Sequence, residues 1–405
     1  MQNPFPFYQY LRENAPVHYD PVLKAWLVSR YDDIRSVLLD ADTYSMELGW
    51  KLNYAHGFAD EFQAILERDG GGFFPDVIMT DPPLHTRIRG LMDKAFTPHR
   101  IRALEPGITA RVVGFIERFP GSGEFDGTRD FALPLTVDIL CEQLGMTDVD
   151  YATIERWSLA ISAQVGRVQT REEMEQNAAQ ICELQRFVID LIEQRRGNPG
   201  NDLISDLVHA RSEDDENPAL DFRELVACTR ALLVGGNETT SSAIGNMLLI
   251  LATRPEVRSW LAENADSDQQ VARFVEEVMR IAPATRALSR VTTREVELAG
   301  QHLPKHAQVM IMFASGNHDQ AHFPAPELVD TKRANLGSHL AFGAGIHRCV
   351  GMALARMEMK VVARELVTRL RELELAVPLA DIRYLPSVSN HTIVNLPLRY
   401  ARSGN

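Results

Sequence analysis

Apolar residues recur at spacings of three and four over long runs of the chain, which predicts helices around 101–118, 152–167, 172–195, 222–252, 268–281 and 351–371. Short apolar runs rich in Val, Ile, Leu and Phe predict strands at 24–29 (KAWLVS), 296–304 (VELAGQHLP), 307–313 (AQVMIMF) and 391–400 (HTIVNLPLRY). Helix dominates, so the class is mainly α with small β-sheets. Residues 44–80, with Gly70, Gly71 and Gly72, and residues 315–348 follow neither period and read as long irregular stretches, which in a compact domain are usually functional. No Pro/Gly/Ser linker, repeat or low-complexity segment divides the chain, so residues 1–405 are expected to form a single domain. RSEDDENPALD (211–221) reads as a solvated surface loop.

Charge narrows the partners. The 55 acidic and 42 basic residues leave a net charge of -13, which disfavours nucleic acid and anionic membranes. The longest charge-free apolar stretch, between Glu238 and Arg254, is shorter than the ~20 residues a bilayer requires, so no membrane anchor is expected. Four irregularly spaced cysteines and no secretory apolar segment at the amino terminus argue for reduced thiols and a cytoplasmic protein. Cys141, Cys182 and Cys228 lie in apolar, helix-like segments where a small buried hydrophobe is the ordinary reading.

Cys349 has other neighbours. It closes the run HLAFGAGIHRCVG (339–351), and the helix-forming GMALARMEMKVVARELVTRL follows at once. A thiol there feels the positive end of the helix dipole, which favours thiolate. Gly343, Gly345 and Gly351 allow tight backbone geometry and close approach of a flat ligand. Such a cysteine is built to react or to bind metal. With no second cysteine nearby, zinc and iron-sulfur clusters lack their ligands, whereas haem iron needs only one protein thiolate. A structural or nucleophilic cysteine remains the alternative at this stage.

FGAGIHRCVG (342–351) resembles the haem-binding loop of the cytochrome P450 family, Phe-x-x-Gly-x-x-x-Cys-x-Gly with a basic residue two before the cysteine. Further motifs match in order from about residue 4 to the carboxyl terminus. Glu277-Val-Met-Arg280 is similar to the family's Glu-x-x-Arg, and the resemblance implies a buried ion-pair network of Glu277, Arg280 and Arg333, although Val329 stands where the family usually has an aromatic. TDPPLHTRIRGLMDKAF (80–96) resembles the start of the family's third helix, with His85 and Arg89 four apart on one face. His85, Arg89, Arg290 and His347 are the candidates to meet the two haem propionates, which must be paired if buried. Phe342, Gly235 and Gly236 complete the residues expected to contact haem b (iron protoporphyrin IX), with Cys349 as the iron ligand.

ALLVGGNETTSSAIGNMLLILAT (231–253) reads as a buried helix interrupted at Gly235 and Gly236, each costing about 1 kcal/mol relative to alanine, with Glu238 in apolar surroundings. Paired glycines let something flat or diatomic approach, and an acid beside an alcohol can relay protons. The match is to the family's oxygen-binding motif, with Glu238 as the acid and Thr239 as the alcohol. The resemblance implies the P450 fold, a triangular-prism helical domain with a minor β subdomain. It also implies a haem-thiolate monooxygenase that activates O2 to hydroxylate or O-dealkylate a small hydrophobic substrate, with aromatic or carboxylate-bearing compounds among those expected. Electrons are expected from a separate ferredoxin or flavodoxin-type donor, with Arg348 and Arg356 as docking contacts. Family members draw substrate contacts from regions that here offer Trp50, Tyr54, Phe73, Phe74, Leu232, Ala284, Arg286 and His391. Arg286 stands where the family often has an aliphatic, and a guanidinium there can hold a carboxylate in a fork or turn toward a propionate. The competing class is a non-catalytic haem-thiolate sensor or binding protein.

Overall fold

The protein is described from a computed structural model covering residues 3–53, 57–73, 75–166, 169–213 and 217–402, with backbone alone at 50–53 and 165–166. Tyr54 and Phe74, and the side chain of Trp50, lie outside what is described. The chain forms two compact units. One takes Met1–Tyr44, Ile101–Thr136 and Thr239–Asn405, and the other takes Ser45–Arg100 and Val137–Glu238.

In the first unit the strands Val17–Asp20, Ala25–Val28, Gln308–Ile311 and Leu288–Thr292 lie side by side in that order. Alternation dictates which face is covered: Val309 and Ile311 are fully buried while Gln308 and Met310 are partly exposed. Their buried face packs with Val28, Ile34, Val37, Leu303 and Phe323. A second sheet places Pro397–Arg402 between Ser122–Asp126 and Leu370–Leu375, with Leu398 facing Phe125 and Leu375. The helix Asp268–Ile281, capped by Ser267 on the Gln270 N–H, buries Val271, Phe274, Val275 and Val278 as its period requires. It also buries Glu277 and Arg280, which the apolar pattern does not explain.

The second unit is helical. Arg171–Gly197 starts at a capping box of Thr170 and Glu173 and buries Met174, Ala178, Ile181 and Cys182 against Phe62, Leu66 and Ala160. Phe73 joins this core, its ring edge-on to Phe62 at 6.5 Å. The expectation that 44–80 is irregular is therefore corrected. Met46–Asn53 and Ala59–Asp69 are helices, the latter driven by Phe62 and Leu66 four apart on the buried face. The glycine run is a turn: Gly71 and Gly72 have φ of 82° and 131°, and the buried Gln185 amide donates to the carbonyls of Gly70 at 2.7 Å and Gly72 at 2.9 Å.

Two strand expectations also change. Residues 296–304 form a hairpin of Val296–Leu298 and Gln301–Leu303, turned by Ala299 and Gly300, both at positive φ. Only Pro397–Arg402 of the carboxyl-terminal run is a regular strand. Ahead of it, Leu396 N–H is bonded to the Asp126 side chain and Val394 N–H to the Arg383 carbonyl, which breaks a simple ladder.

Candidate active site

In the first unit, Cys349 ends a loop that the backbone folds tightly. Its N–H donates to the Phe342 carbonyl at 3.0 Å, and Gly345–His347 make one tight turn before the helix Met352–Arg369. Gly343 and Gly345 have φ of 66° and 68°. Gly345 is required twice over, since a Cβ there would stand 2.2 Å from the Leu38 carbonyl oxygen. The result is an exposed Cys349 side chain beside half-buried Phe342 and partly exposed Ile346, and no residue from Ala341 to Ala353 is fully buried. The other three cysteines are buried, and burial raises their pKa values, to about 11 at Cys141 and most strongly at Cys228.

Two clusters of charge brace this loop. The fully buried Glu277 accepts from Arg280 Nε at 2.7 Å and Nη2 at 3.0 Å, and Arg333 Nε lies 3.3 Å from the same carboxylate. Arg280 also donates to the carbonyls of Asn317, Pro326 and Leu328, and Asp330 N–H donates to Glu277, so the segment before the loop is held by its own backbone. Beside it, Arg356 grips Glu276 with two bonds of 2.6 and 2.8 Å and lies over the Phe342 ring at 4.7 Å. His339 accepts from Ala341 N–H through Nδ1, so its Nε2 carries the proton and donates to Glu276 at 3.1 Å. Burial alone would raise the Glu276 carboxyl, but His339 and Arg356 outweigh it and hold its pKa down at about 2. Arg356 is thus engaged with Glu276, and Arg348 is exposed.

Also in the first unit, Arg290 is buried on the strand Leu288–Thr292, with Nη1 donating to the Ser289 carbonyl, and His347 is half-buried in the loop. Ala284 and His391 are joined by a 2.7 Å bond from His391 N–H to the Ala284 carbonyl. Arg286 is buried close by, its guanidinium 5.6 Å from the centre of the Tyr384 ring, which in turn stacks on His391 at 4.2 Å.

In the second unit, the helix Leu84–Ala95 buries His85, whose pKa is lowered by burial and by the Arg89 charge. Arg89 Nε donates to Asp93 at 2.8 Å. The helix Phe222–Thr253 runs without a break, which corrects the expected interruption: both glycines keep helical bonding. Gly236 is a packing requirement, since a Cβ would approach Leu140 Cδ1 to 2.9 Å, while Gly235 is exposed with nothing within 4 Å of a Cβ. Leu232 is buried. Glu238 is half-buried and accepts from the Ser162 hydroxyl at 2.6 Å, so its surroundings are less apolar than the sequence suggests. Thr239 follows it, half-buried, at the point where the helix passes into the first unit.

The Cys349 loop fits a haem. An exposed sulfur beside half-buried Phe342 and exposed Ile346, on a loop with no fully buried residue, is what a flat apolar ligand with a metal at its centre would cover. Sequence reasoning missed Ser162, the Glu276–His339–Arg356 clamp, and Tyr8 and Tyr384 near Arg286. Only the doubled Glu276-Glu277 ahead of Arg280 offered a local signal for any of them.

A sequence model of the cytochrome P450 family matches residues 162–387. The chain is 33% identical over 399 residues to 6-deoxyerythronolide B hydroxylase of Saccharopolyspora erythraea, covering 97% of this chain and 95% of that protein. It is 33% identical over 400 residues to vitamin D(3) 25-hydroxylase of Pseudonocardia autotrophica, covering 98% and 94%. The solved structure of cytochrome P450 CREJ in complex with (4-ethylphenyl) dihydrogen phosphate superposes with a TM-score of 0.87 at 29% identity, covering 98% of this chain and 97% of that one.

Proposed function

The chain belongs to the cytochrome P450 family and is a haem-thiolate monooxygenase, and from that premise we propose that it hydroxylates or O-dealkylates a small hydrophobic substrate, using haem b and electrons from a ferredoxin or flavodoxin-type protein in the cytoplasm. The observation that carries this is the exposed Cys349 on a glycine loop braced by the Glu276 and Glu277 clusters. Haem bound through Cys349 would supply the redox-active iron at which dioxygen is activated.

The chain's own residues have the remaining tasks. His85, Arg89, Arg290 and His347 would pair the propionates, and Phe342, under the Arg356 guanidinium, would form a rigid wall beside the sulfur. The Glu238 carboxylate, steered by the Ser162 hydroxyl, would take protons from solvent and pass them to Thr239 Oγ1. Phe73, Leu232, Ala284, Arg286 and His391 are the candidates to contact substrate. The 4-ethylphenyl phosphate bound to CREJ is an aromatic with an anionic end, a class that suits a pocket containing Arg286.

Turnover with a surrogate ferredoxin and reductase tests this reading. With wild-type protein, organic product should account for most of the reducing equivalents consumed. Thr239→Ala should still consume reductant but release it as hydrogen peroxide, with product per reducing equivalent falling about tenfold or more. An unchanged yield would remove Thr239 from its assigned role. Binding of carbon monoxide without any product, across a broad panel of hydrophobic compounds, would favour a sensor.

A further inference from the structure

Arg286 is 4% exposed, and its backbone is fixed on both sides: its N–H donates to the Ser389 carbonyl and its own carbonyl accepts from Ala314 N–H. The side chain is enclosed rather than turned to solvent. Among the described residues its guanidinium makes no hydrogen bond to protein, and Nη2 is wholly enclosed with no partner. The ionisable groups acting on it are two phenols, Tyr8 and Tyr384, and no carboxylate. Burial is the main effect lowering the Arg286 pKa, yet a guanidinium stays charged at neutral pH. His391 stands near it and His318 near His391, and burial keeps both neutral.

An unpaired buried cation costs several kcal/mol, and a site that retains one is built for an anion. The surrounding groups suit that occupant. Tyr8 is buried with a hydroxyl that bonds no described residue, and burial holds its phenol protonated, so it can donate. The guanidinium offers the fork that a carboxylate or phosphate fills.

We propose that Arg286, with the Tyr8 hydroxyl, receives the anionic end of the substrate, a carboxylate or phosphate monoester. This rests on the reading above of Ala284 and His391 as pocket residues. A propionate is the weaker occupant, because four other basic residues already stand as candidates for two propionates. The acid end would be held at Arg286 while the apolar remainder carries the carbon to be oxidised. Free acid then binds, and its ester or hydrocarbon analogue does not bind equally.

The ferric holoenzyme would be titrated with 4-ethylbenzoate and dodecanoate, with their methyl esters, and with sodium acetate and phosphate as free anions. Binding is followed by the Soret band and independently by calorimetry. The expected result is acid affinity at least about 10-fold above that of the ester, with the preference abolished in Arg286→Leu by a loss of acid affinity and reduced in Tyr8→Phe. Equal affinities for acid and ester overturn the proposal. So does binding of acetate or phosphate at Arg286 without any preference for the long acids, which would make this a free-anion site. Loss of haem from Arg286→Leu with the acid preference intact in the remaining holoenzyme assigns Arg286 to a propionate and also overturns it. Calorimetry reads the acid preference whether or not haem shows thiolate ligation, so failure of the monooxygenase reading is separable from failure of this one.

Discussion

Arg280 and Arg286 lie one short loop apart, and both are almost completely buried, but the protein treats them in opposite ways. Arg280 spends its donors on both oxygens of Glu277 and on three main-chain carbonyls. The Arg286 guanidinium makes no hydrogen bond to a described protein group and meets the face of the Tyr384 ring. The first is part of the framework, because every donor is answered by something the chain itself supplies. The second is answered only if something arrives. Glu358, on the helix after Cys349, shows the third possibility: a buried carboxyl can escape by holding its proton, and burial pushes its pKa up to about 8. Arginine has no such escape at neutral pH, which is why its isolation points to a ligand.

Breaking the framework arginine should have the largest effect. Arg280→Leu leaves the buried Glu277 with only Arg333 and the Asp330 N–H among the described residues, and a loss of about 3–5 kcal/mol is expected, read by urea denaturation. Haem content should fall with it, because the segment that leads into the Cys349 loop loses three of its anchors.

Glu358 gives a smaller effect with a defined pH dependence. Its folded pKa lies above the unfolded carboxyl value, so stability is fully present below about 4.5 and declines as pH rises toward about 8. The slope is roughly 1.4 kcal/mol for each pH unit in that window. Glu358→Gln should flatten the decline, measured by melting temperature across pH. Glu276 has the opposite sign: its pKa of about 2 means that its stabilisation is present at neutral pH and is lost as pH falls from about 4.5 toward 2.

Arg286→Leu should change stability least. Without ligand it removes an unanswered charge, so unfolding free energy should stay within about 1 kcal/mol of wild type or rise. A loss as large as that of Arg280→Leu would show that Arg286 belongs to the framework after all and would erase the contrast.

Much of this was legible in the sequence. The long helices at 222–253, 268–281 and 352–369 declare themselves through apolar periodicity, and the Cys349 loop through glycines whose φ and crowding the structure explains. The helices at 46–53 and 59–69 did not, because a glycine run and short periodic segments concealed them. Glu276, His339 and Arg356 come from three separate segments, and Tyr8, Arg286 and Tyr384 from three more. Such clusters carry no local pattern. They exist only once tertiary packing has brought distant residues together, and a charge without a partner can be recognised only after its surroundings are known.

The central claim is that Cys349 is the haem ligand, and the difference spectrum of the reduced protein with carbon monoxide tests it most directly. Wild-type protein should give the strongly red-shifted Soret band of thiolate ligation, and Cys349→His should retain haem but lose that band. A band that survives the substitution, or wild-type protein that binds no haem, would contradict it.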